Sequence, residues 1–421
     1  MAVVVKPPGA PPVKTGRLRA WFYKRFPIEE FISDQLTGYY APKNFNFWYF
    51  FGVLSLVVLV VQLLTGIFLT MFYKPGEATA FDSVAFIMRE VDYGWLIRYI
   101  HSTGASAFFI VVYLHMFRAL LYGSYKAPRE LLWLIGMLVY LALMAEAFFG
   151  YVLPWGNMSY WAAQVIINIF GTIPGIGPGL VLWIRGDYGV SDATLNRFFA
   201  LHVAAVPLAL LLLVMLHLVA LRRTGSSNPD GIEIKDKLDA SGKPLDGIPF
   251  HPYYTVKDTF GVAVFLVLFA IVVFFVPRLG GYFLEPANFE PANPLSTPPE
   301  ITPSWYLTPY YAILRGIPNQ RIGALVLLLA IVAYLLLPWL DRSPVKSMRY
   351  KGWVSRAFFA LFIVSFLGLI YVGLHPVRPA YVLMGRICTV FYFAYFVLMP
   401  WYTRFESVKP LPERLTFHAH A

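Results

Sequence analysis

Cysteine and charged side chains are scarce in this chain of 421 residues. Its single cysteine, Cys388, excludes a disulfide framework, an iron–sulfur cluster and a covalently attached c-type haem within the chain. Charged residues make up 14% of the sequence and hydrophobic residues 58%, which is far from the composition of a soluble globular protein. The composition therefore predicts a polytopic membrane protein.

Eight apolar runs are long enough to cross a bilayer as helices. They cover residues 46–73, 97–122, 131–153, 198–221, 259–276, 322–340, 353–374 and 380–402. Charged residues precede the first run, and it lacks a small-residue cleavage signature, so we expect a retained span rather than a signal peptide. The predicted fold class is all-α, with eight transmembrane helices of which the first four form a four-helix bundle.

Basic residues account for the formal net charge of +11, and they cluster in particular segments. The clusters precede the first run and follow the second, fourth, sixth and last runs, so they share one side of the membrane. The positive-inside rule then places both termini in the cytoplasm. This distribution predicts contact with the lipid bilayer and no nucleic-acid partner. The segment from Leu18 to Leu36 has the alternation of aromatic and charged residues typical of an interfacial helix.

Four histidines form two pairs inside apolar runs: His101 with His115, and His202 with His217. The spacings of 14 and 15 residues place each pair on one helix face, roughly 21 Å apart along the axis. Two such helices facing each other would present two bis-imidazole sites, and imidazole is a strong axial ligand of haem iron. Alternatively, each histidine hydrogen-bonds to a neighbouring helix or lines a proton path. Two pairs with matched spacing favour haem ligation over these alternatives.

Glycines in the first and third runs repeat the 14-residue spacing, as Gly52 with Gly66 and Gly136 with Gly150. We expect them to form notches for the edge of a flat porphyrin at the heights of the two irons. The alternative is helix packing through small residues, which usually shows a four-residue repeat.

Arg98 precedes His101 by three residues, and Arg118 follows His115 by three. A guanidinium within a membrane is costly unless it is paired, and haem propionates are suitable partners. Alternatively, the side chain of Arg98 extends to the membrane–water interface, where its charge is solvated.

Two outer connections, residues 154–197 and 277–318, are long and rich in turn residues. Long ordered loops usually have a function, so a substrate pocket under these loops is expected. The predicted organisation has five segments. They are a cytoplasmic N-terminal segment 1–45, a dihaem bundle 46–222, a cytoplasmic linker 223–258, a four-helix region 259–402 that carries the outer loop, and a cytoplasmic tail 403–421.

Several longer motifs add a resemblance that covers nearly the whole chain. These are Gly150-Tyr151-Val152-Leu153-Pro154-Trp155-Gly156, the segments Arg98 to Ser106 and His251 to Asp258, and Trp305-Tyr306 followed by Tyr311 to Arg315. With them the chain resembles cytochrome b of the quinol:cytochrome c oxidoreductase, the cytochrome bc complex, in a fused bacterial form.

The resemblance implies a redox subunit with two haems b and two quinone sites in a bacterial inner membrane. Because the second and fourth spans run in the same direction, His101 is expected to share the outer iron with His202, and His115 the inner iron with His217. Quinol oxidation is expected at the outer site, with Tyr151, Ser304, Trp305 and Tyr306.

One electron would pass to a Rieske iron–sulfur protein and the other through both haems to an inner quinone, contributing to the proton motive force. A membrane-anchored c-type cytochrome and a homodimer of the complex complete the expected assembly. At the inner site Arg222, Lys257 and Asp258 are expected to contact or protonate the quinone.

The chain departs from the family at three positions. The family's Pro-Glu-Trp-Tyr motif reads Pro303-Ser304-Trp305-Tyr306, so the usual carboxylate is missing. Glu300, just upstream, is expected to replace it, unless it is simply a solvated loop charge. Arg222 stands where mitochondrial-type relatives carry histidine, and Thr103 replaces the usual asparagine.

Two other functions compete with this interpretation. A dihaem membrane anchor of a dehydrogenase or reductase would also use four histidines, but it would lack the proline-rich loop and the glycine pairs. A transporter would explain eight spans and a few buried charges, and it predicts no bound haem.

Overall fold

The computed structural model describes residues 17–26 and 38–416, and its long helices coincide with the apolar runs of the sequence. Within the described residues, eight helical segments are long and apolar enough to cross a membrane. These spans are Phe47–Thr70, Gly94–Tyr122, Glu130–Val152, Asp192–Thr224, Tyr253–Phe275, Gln320–Leu340, Trp353–Gly373 and Pro379–Val397. The all-α prediction with eight spans is confirmed.

Helices of the first half, in chain order, are α1 (Arg17–Arg25), α2 (Phe50–Thr70), α3 (Ala80–Arg89), α4 (Gly94–Tyr122), α5 (Glu130–Val152), α6 (Asn157–Phe170), α7 (Gly177–Arg185), α8 (Asp192–Ala200) and α9 (Val206–Thr224). Those of the second half are α10 (Tyr253–Phe275), α11 (Thr308–Gly316), α12 (Gln320–Leu340), α13 (Trp353–Gly373), α14 (Pro379–Val397) and α15 (Met399–Phe405). Short 3₁₀ turns lie at Phe47–Tyr49, Ile234–Asp236, Leu279–Gly281 and Pro286–Phe289.

The chain divides into two units. Of the described residues, those within 1–43 and 234–257 form the smaller unit, and those within 44–233 and 258–416 form the larger one. In the smaller unit β1 (Tyr40–Pro42) pairs antiparallel with β2 (Gly247–Pro249). An ion pair between Lys43 and Asp246, 2.7 Å long, continues this pairing. The five-segment division drawn from the sequence stays a prediction.

The larger unit has a core rich in aromatic residues. Phe109 of α4, Tyr140 of α5 and Tyr392 of α14 are almost fully buried in one hydrophobic cluster. Gly123 directly follows α4 and has a left-handed backbone conformation, with a φ of +64°. Here the loop after α4 packs closely against the loop that contains Lys346. A Cβ at Gly123 would overlap the backbone of Lys346, so the left-handed turn and the close contact both require glycine.

The fourth span is not a continuous α-helix. Residues Leu201–Ala205 form a π-helical turn between α8 and α9, in which the N–H of Val206 donates to the carbonyl of Leu201. Pro207 lies two residues after this turn. Proline has no N–H to donate, and its ring would clash with the carbonyl four residues earlier, which accounts for a locally widened turn. The turn contains one of the four predicted ligands, His202.

Part of the predicted interfacial helix is present as α1, where Leu18, Trp21 and Phe22 are exposed. Residues 27–37, which cover the rest of that prediction, lie outside the described residues. An exposed apolar surface on a short helix with basic residues is typical of a segment that lies in a membrane interface.

Candidate functional site

The structure brings the four histidines together in two pairs across the bundle. The ring centroids of His101 and His202 are 6.2 Å apart, and those of His115 and His217 are 6.4 Å apart. Two imidazoles bound to one metal from opposite sides, with metal–nitrogen bonds of about 2 Å, have ring centroids about 6.3 Å apart. Both pairs therefore fit a shared metal ion between opposed nitrogens.

The number of ligands indicates which metal group fits. Among the described residues no group of three or more His, Cys, Asp or Glu side chains could hold a metal ion. A site with only two protein ligands suits a haem, because the porphyrin supplies the other four nitrogens. The pairs match those predicted from the sequence.

Hydrogen bonds determine the tautomer of two of these histidines. The Nδ1 of His202 lies 3.0 Å from the main-chain carbonyl of Glu146, which can only accept, so Nδ1 is the donor. The Nδ1 of His101 lies 2.9 Å from the Thr65 hydroxyl, which itself donates to the carbonyl of Val61. In both rings the lone pair is then on Nε2, the nitrogen left for a metal.

Each of the four predicted glycines faces one of the four histidines. A Cβ at Gly52 would lie 3.4 Å from Cε1 of His115, and one at Gly66 would lie 3.4 Å from Cε1 of His101. A Cβ at Gly136 would lie 3.0 Å from Cε1 of His217. At Gly150 a Cβ would overlap the ring of His202. The glycines thus make room for the imidazoles themselves, and their role as notches for a porphyrin edge stays a prediction.

The two arginines near the histidines differ in their surroundings. Arg118 donates to the carbonyl of Ser227 at 3.0 Å and lies over the ring of Tyr122. Arg98 is half-buried, and no carboxylate of the described residues forms an ion pair with it. A guanidinium in that position is free to bind an anionic group, as proposed for a haem propionate.

A narrow cleft, too tight to hold a water molecule, lies where the sequence predicted an outer pocket. It is lined by Ala147, Phe148, Tyr151, Ala162, Ile166, Pro303, Ser304, Tyr306 and Leu307. Ligand pockets usually hold roughly 300–1,000 Å³, so a ring-sized ligand would have to move these side chains apart. The cleft brings Tyr151, Ser304 and Tyr306 together, as expected.

Contacts with α4 hold the Trp305-Tyr306 motif in place. The indole N–H of Trp305 donates to the hydroxyl of Ser106 at 3.1 Å. The ring of Tyr306 stacks on Phe109 with centroids 3.9 Å apart, and the hydroxyl of Tyr113 donates to the Tyr306 carbonyl at 2.5 Å. Burial raises the pKa of Tyr306 above its usual range, so its hydroxyl stays protonated near neutral pH.

The two long loops are hydrogen-bonded to each other beside this cleft. The N–H of Asn157 donates to the carbonyl of Glu290, and the N–H of Ala292 donates to the carbonyl of Trp155, both at 2.9 Å. Gly156 pairs with Pro291 in this bridge, and a Cβ at Gly156 would overlap Asn288. The 277–318 loop is therefore held against the start of α6.

Two carboxylates of the 277–318 loop have different environments. Glu300 is exposed and is not among the residues that line the cleft. Glu285 is half-buried beside Tyr151, and burial raises the pKa of its carboxyl to about 7. The prediction that Glu300 replaces the missing carboxylate stays a prediction, and the structure offers Glu285 as a second candidate.

The predicted inner-site residues lie at the ends of helices α9 and α10. Arg222 is half-buried in the last turn of α9. The carboxyl of Asp258 faces the hydroxyl of Tyr49, and its Oδ1 is buried without a hydrogen bond within the protein. The ammonium group of Lys257 lies 4.4 Å from the ring centroid of Tyr253. A buried carboxylate oxygen without a hydrogen bond is suited to accept one from a ligand or to bind a proton.

Three residues with a clear geometric role escaped the sequence interpretation. They are Thr65 and Glu146, beside the histidines, and Glu285, beside the cleft. Glu146 had a visible signal, since a carboxylate inside an apolar run indicates function. Glu285 had no sequence signal beyond its place in the proline-rich loop, because only the fold brings it close to Tyr151.

Two family models match the chain. The model described as cytochrome b/b6/petB matches residues 36–225, and the model described as cytochrome b (C-terminal)/b6/petD matches residues 291–393.

Whole-chain relatives agree with these models. The chain is 57% identical over 405 residues to cytochrome b of Allochromatium vinosum, with 94% of this chain and 98% of that protein covered. It is 47% identical over 403 residues to cytochrome b of Rhodospirillum rubrum, with 96% of each chain covered. Among solved structures, it is similar to a chain of a hyperthermophilic respiratory Complex III. The TM-score is 0.86 at 41% identity, covering 92% of this chain and 99% of that one.

Proposed function

The chain belongs to the cytochrome b family of bc1-type complexes, and from this premise we propose that it carries two haems b and works between two quinone sites. Membership makes it an oxidoreductase subunit that binds haem b in a membrane. The transporter and the dihaem anchor, which the sequence left open, have no support from these relatives.

The pairing of the histidines is the observation that carries the proposal. His101 with His202 and His115 with His217 would each hold one haem, the first pair on the outer side. When bound, each haem would supply a carrier that takes up and releases one electron at a time. The protein contributes the tautomer of the ligands through Thr65 and Glu146, and space for the rings through the glycines.

At the outer site we propose that quinol binds in the cleft between Tyr151 and Tyr306. The contacts of Trp305 with Ser106 and of Tyr306 with Phe109 hold this wall of the cleft against the ligand-bearing helix. At the inner site we propose that Arg222, Lys257 and Asp258 bind the quinone and supply protons to it. The Asp258 oxygen that lacks a hydrogen bond supports this role.

The proposed assembly follows from the match to Complex III. A Rieske iron–sulfur protein would accept one electron from quinol, and a membrane-anchored c-type cytochrome would receive it in turn. The other electron would reach the inner quinone. We propose a homodimer in the bacterial inner membrane with both termini in the cytoplasm, so that protons are released outside and taken up inside.

Replacing single histidines tests the proposal. We expect His101→Ala to lose one of two b-type haems, seen in the reduced-minus-oxidised spectrum, and to abolish quinol:cytochrome c turnover. The matched control is His375→Ala, because His375 lies outside both pairs and should leave two haems. Two six-coordinate haems in His101→Ala would contradict the assignment.

A further inference from the structure

The missing carboxylate of the Pro303-Ser304-Trp305-Tyr306 segment raises the question of which group takes the quinol proton. Quinol cannot lose an electron readily while it keeps both hydroxyl protons, so a nearby base is needed. Ser304 lines the cleft, but a hydroxyl is a poor base at neutral pH. From the position of Glu285 beside the cleft, we propose that this residue is the proton acceptor at the outer site. The inference rests on the proposed function.

Asn288 positions the Glu285 carboxyl. One oxygen of Glu285, Oε2, accepts from the side-chain amide of Asn288 at 3.2 Å. The amide oxygen of Asn288 in turn accepts from the N–H of Ser159 at 2.8 Å. Because this N–H belongs to the first turn of α6, the carboxyl is held to a helix and not left on a mobile loop.

Tyr151 connects Glu285 to the cleft. Its side chain lines the cleft and also faces the Glu285 carboxyl. The Tyr151 hydroxyl is buried and makes no hydrogen bond of standard geometry. A buried hydroxyl that faces the Glu285 carboxyl without a well-formed hydrogen bond is suited to bind a polar group of a ligand and to pass a proton onward. Tyr151 would be such a relay between quinol and Glu285.

The charge environment suits a proton acceptor. No Lys or Arg of the described residues forms an ion pair with Glu285, so no fixed cation holds it in the charged state. The titratable groups that face it are two phenols, Tyr151 from α5 and Tyr306 from the cleft wall. Burial raises the pKa of its carboxyl to about 7, close to the value at which a base both accepts and releases protons well.

The proposed step balances in protons and electrons. One O–H bond of quinol breaks, its proton forms an O–H bond on Glu285, and one electron passes to the iron–sulfur partner of the proposed complex. The Glu285 side chain is only half-buried. Its accessible part gives the proton a way to solvent on the loop side, after which the carboxylate is ready again.

Three glutamine variants of the purified complex test the inference. Glu285→Gln removes the proposed base, Glu300→Gln removes the carboxylate expected from the sequence, and Glu290→Gln is the matched control. Glu290 is exposed on the same loop, and its contact with Asn157 uses only the main chain. The measurement is the turnover of a short-chain ubiquinol with cytochrome c from pH 5 to 9. Haem content and the b-type difference spectrum serve as the check on folding.

We expect Glu285→Gln to lose turnover roughly 10²-fold, as removal of a general base does. Wild-type turnover should rise with pH through about pH 7, because the carboxyl must be deprotonated to accept a proton, and the variant should lose this rise. Glu290→Gln should keep both the rate and the profile, and Glu300→Gln should keep the rise with pH that Glu285→Gln loses. Glu285→Asp should recover part of the rate and the rise with pH.

Several results would overturn the inference. Wild-type rate and profile in Glu285→Gln would do so, as would loss of both in Glu300→Gln with Glu285→Gln intact. If Glu285→Gln fails to assemble, Glu285→Asp and Tyr151→Phe test the inference in its place. An unaltered rate and pH profile in both variants would exclude the proton relay through Tyr151 to Glu285. If the wild-type complex itself fails to oxidise quinol, it is the proposed function that is wrong.

Discussion

Each histidine that binds a metal has a second nitrogen, and its partner affects how strongly the first nitrogen donates electrons. In this chain the partners differ. The Nδ1 of His101 has the neutral hydroxyl of Thr65, whereas the Nδ1 of His202 also lies 3.0 Å from a carboxylate oxygen of Glu146. The other Glu146 oxygen, Oε2, is buried without a hydrogen bond. A buried negative charge next to a ligand favours the oxidised form of an iron.

Glu146→Gln is therefore expected to raise the midpoint potential of the haem proposed to lie between His101 and His202. Glutamine keeps a hydrogen-bond acceptor of the same size but removes the charge, so the change isolates the electrostatic effect. A redox titration of the purified protein, followed at the α-band of the two haems, measures it. The second haem, between His115 and His217, is the internal control and should keep its potential. Equal potentials in the variant and wild type would show that the carboxylate does not act on the iron.

At the scale of single helices, the second and fourth spans each place two histidines on one face, but they do so with different helix geometry. In α4 an uninterrupted α-helix separates His101 and His115 by 14 residues. In the fourth span His217 follows His202 by 15 positions, and the π-helical turn Leu201–Ala205 contains His202. A π-helical turn holds one more residue than an α-helical turn. The extra residue is thus absorbed, and both histidines of the fourth span face α4.

A deletion can test this role of the π-helical turn. We expect a chain that lacks Ala204 and carries Pro207→Ala to keep both haems, because an α-helical turn with 14-residue spacing replaces the π-helical one. The matched deletion, of Ile110 in α4, has no such turn to remove. It would rotate His115 by about 100° and shift it by about 1.5 Å relative to His101, so one haem should be lost. Haem content and the difference spectrum report both results. Loss of a haem from the Ala204 variant would count against this account of the spacing.

At the scale of the larger unit, buried ion pairs join the loops of the first four spans to those of the last four. The carboxylate of Asp341, just after α12, pairs with Lys126 at 3.2 Å and with Lys351, and it accepts from the hydroxyl of Tyr125 at 2.6 Å. Glu233 pairs with both Arg129 and Lys346. Apart from the Asp341–Lys351 pair, these contacts connect residues more than 100 positions apart, so each of those constrains the packing of distant segments.

Asp341→Asn is expected to destabilise the protein by about 3–5 kcal/mol, because it leaves Lys351 buried without its carboxylate. Burial alone would raise the pKa of Asp341, but Lys351 and Lys126 outweigh it and hold that pKa below its usual value. The contribution of Asp341 is then present above the unfolded pKa of about 4 and is lost as the pH falls through the lower folded value. Thermal unfolding of the detergent-solubilised protein, followed by haem release at pH 7 and in acid, measures both effects. The exposed Asp236→Asn is the control, and an equal midpoint for the two variants at pH 7 would contradict the prediction.

Sequence alone was enough to predict the eight spans, which the structure confirms, and to propose the four histidines as ligands. Hydropathy summed over about 20 residues is a local property, and helix geometry converts a spacing of 14 residues into a height and a face. The same reasoning located the four glycines, because the heights of His101 and His115 are set by the helix that bears them. Motifs as long as Gly150 to Gly156 added the family.

Which side chains these residues contact depends on the tertiary structure. Glu300 is nearer to Tyr306 in sequence, yet Glu285 lies beside Tyr151, because Asn288 and Gly156 hold the loop against α6. The widened turn at His202 depends on Pro207 and on packing against α5, and a spacing count alone does not reveal it. Contacts between segments distant in the chain result from closure of loops and packing of side chains, and no local pattern encodes them.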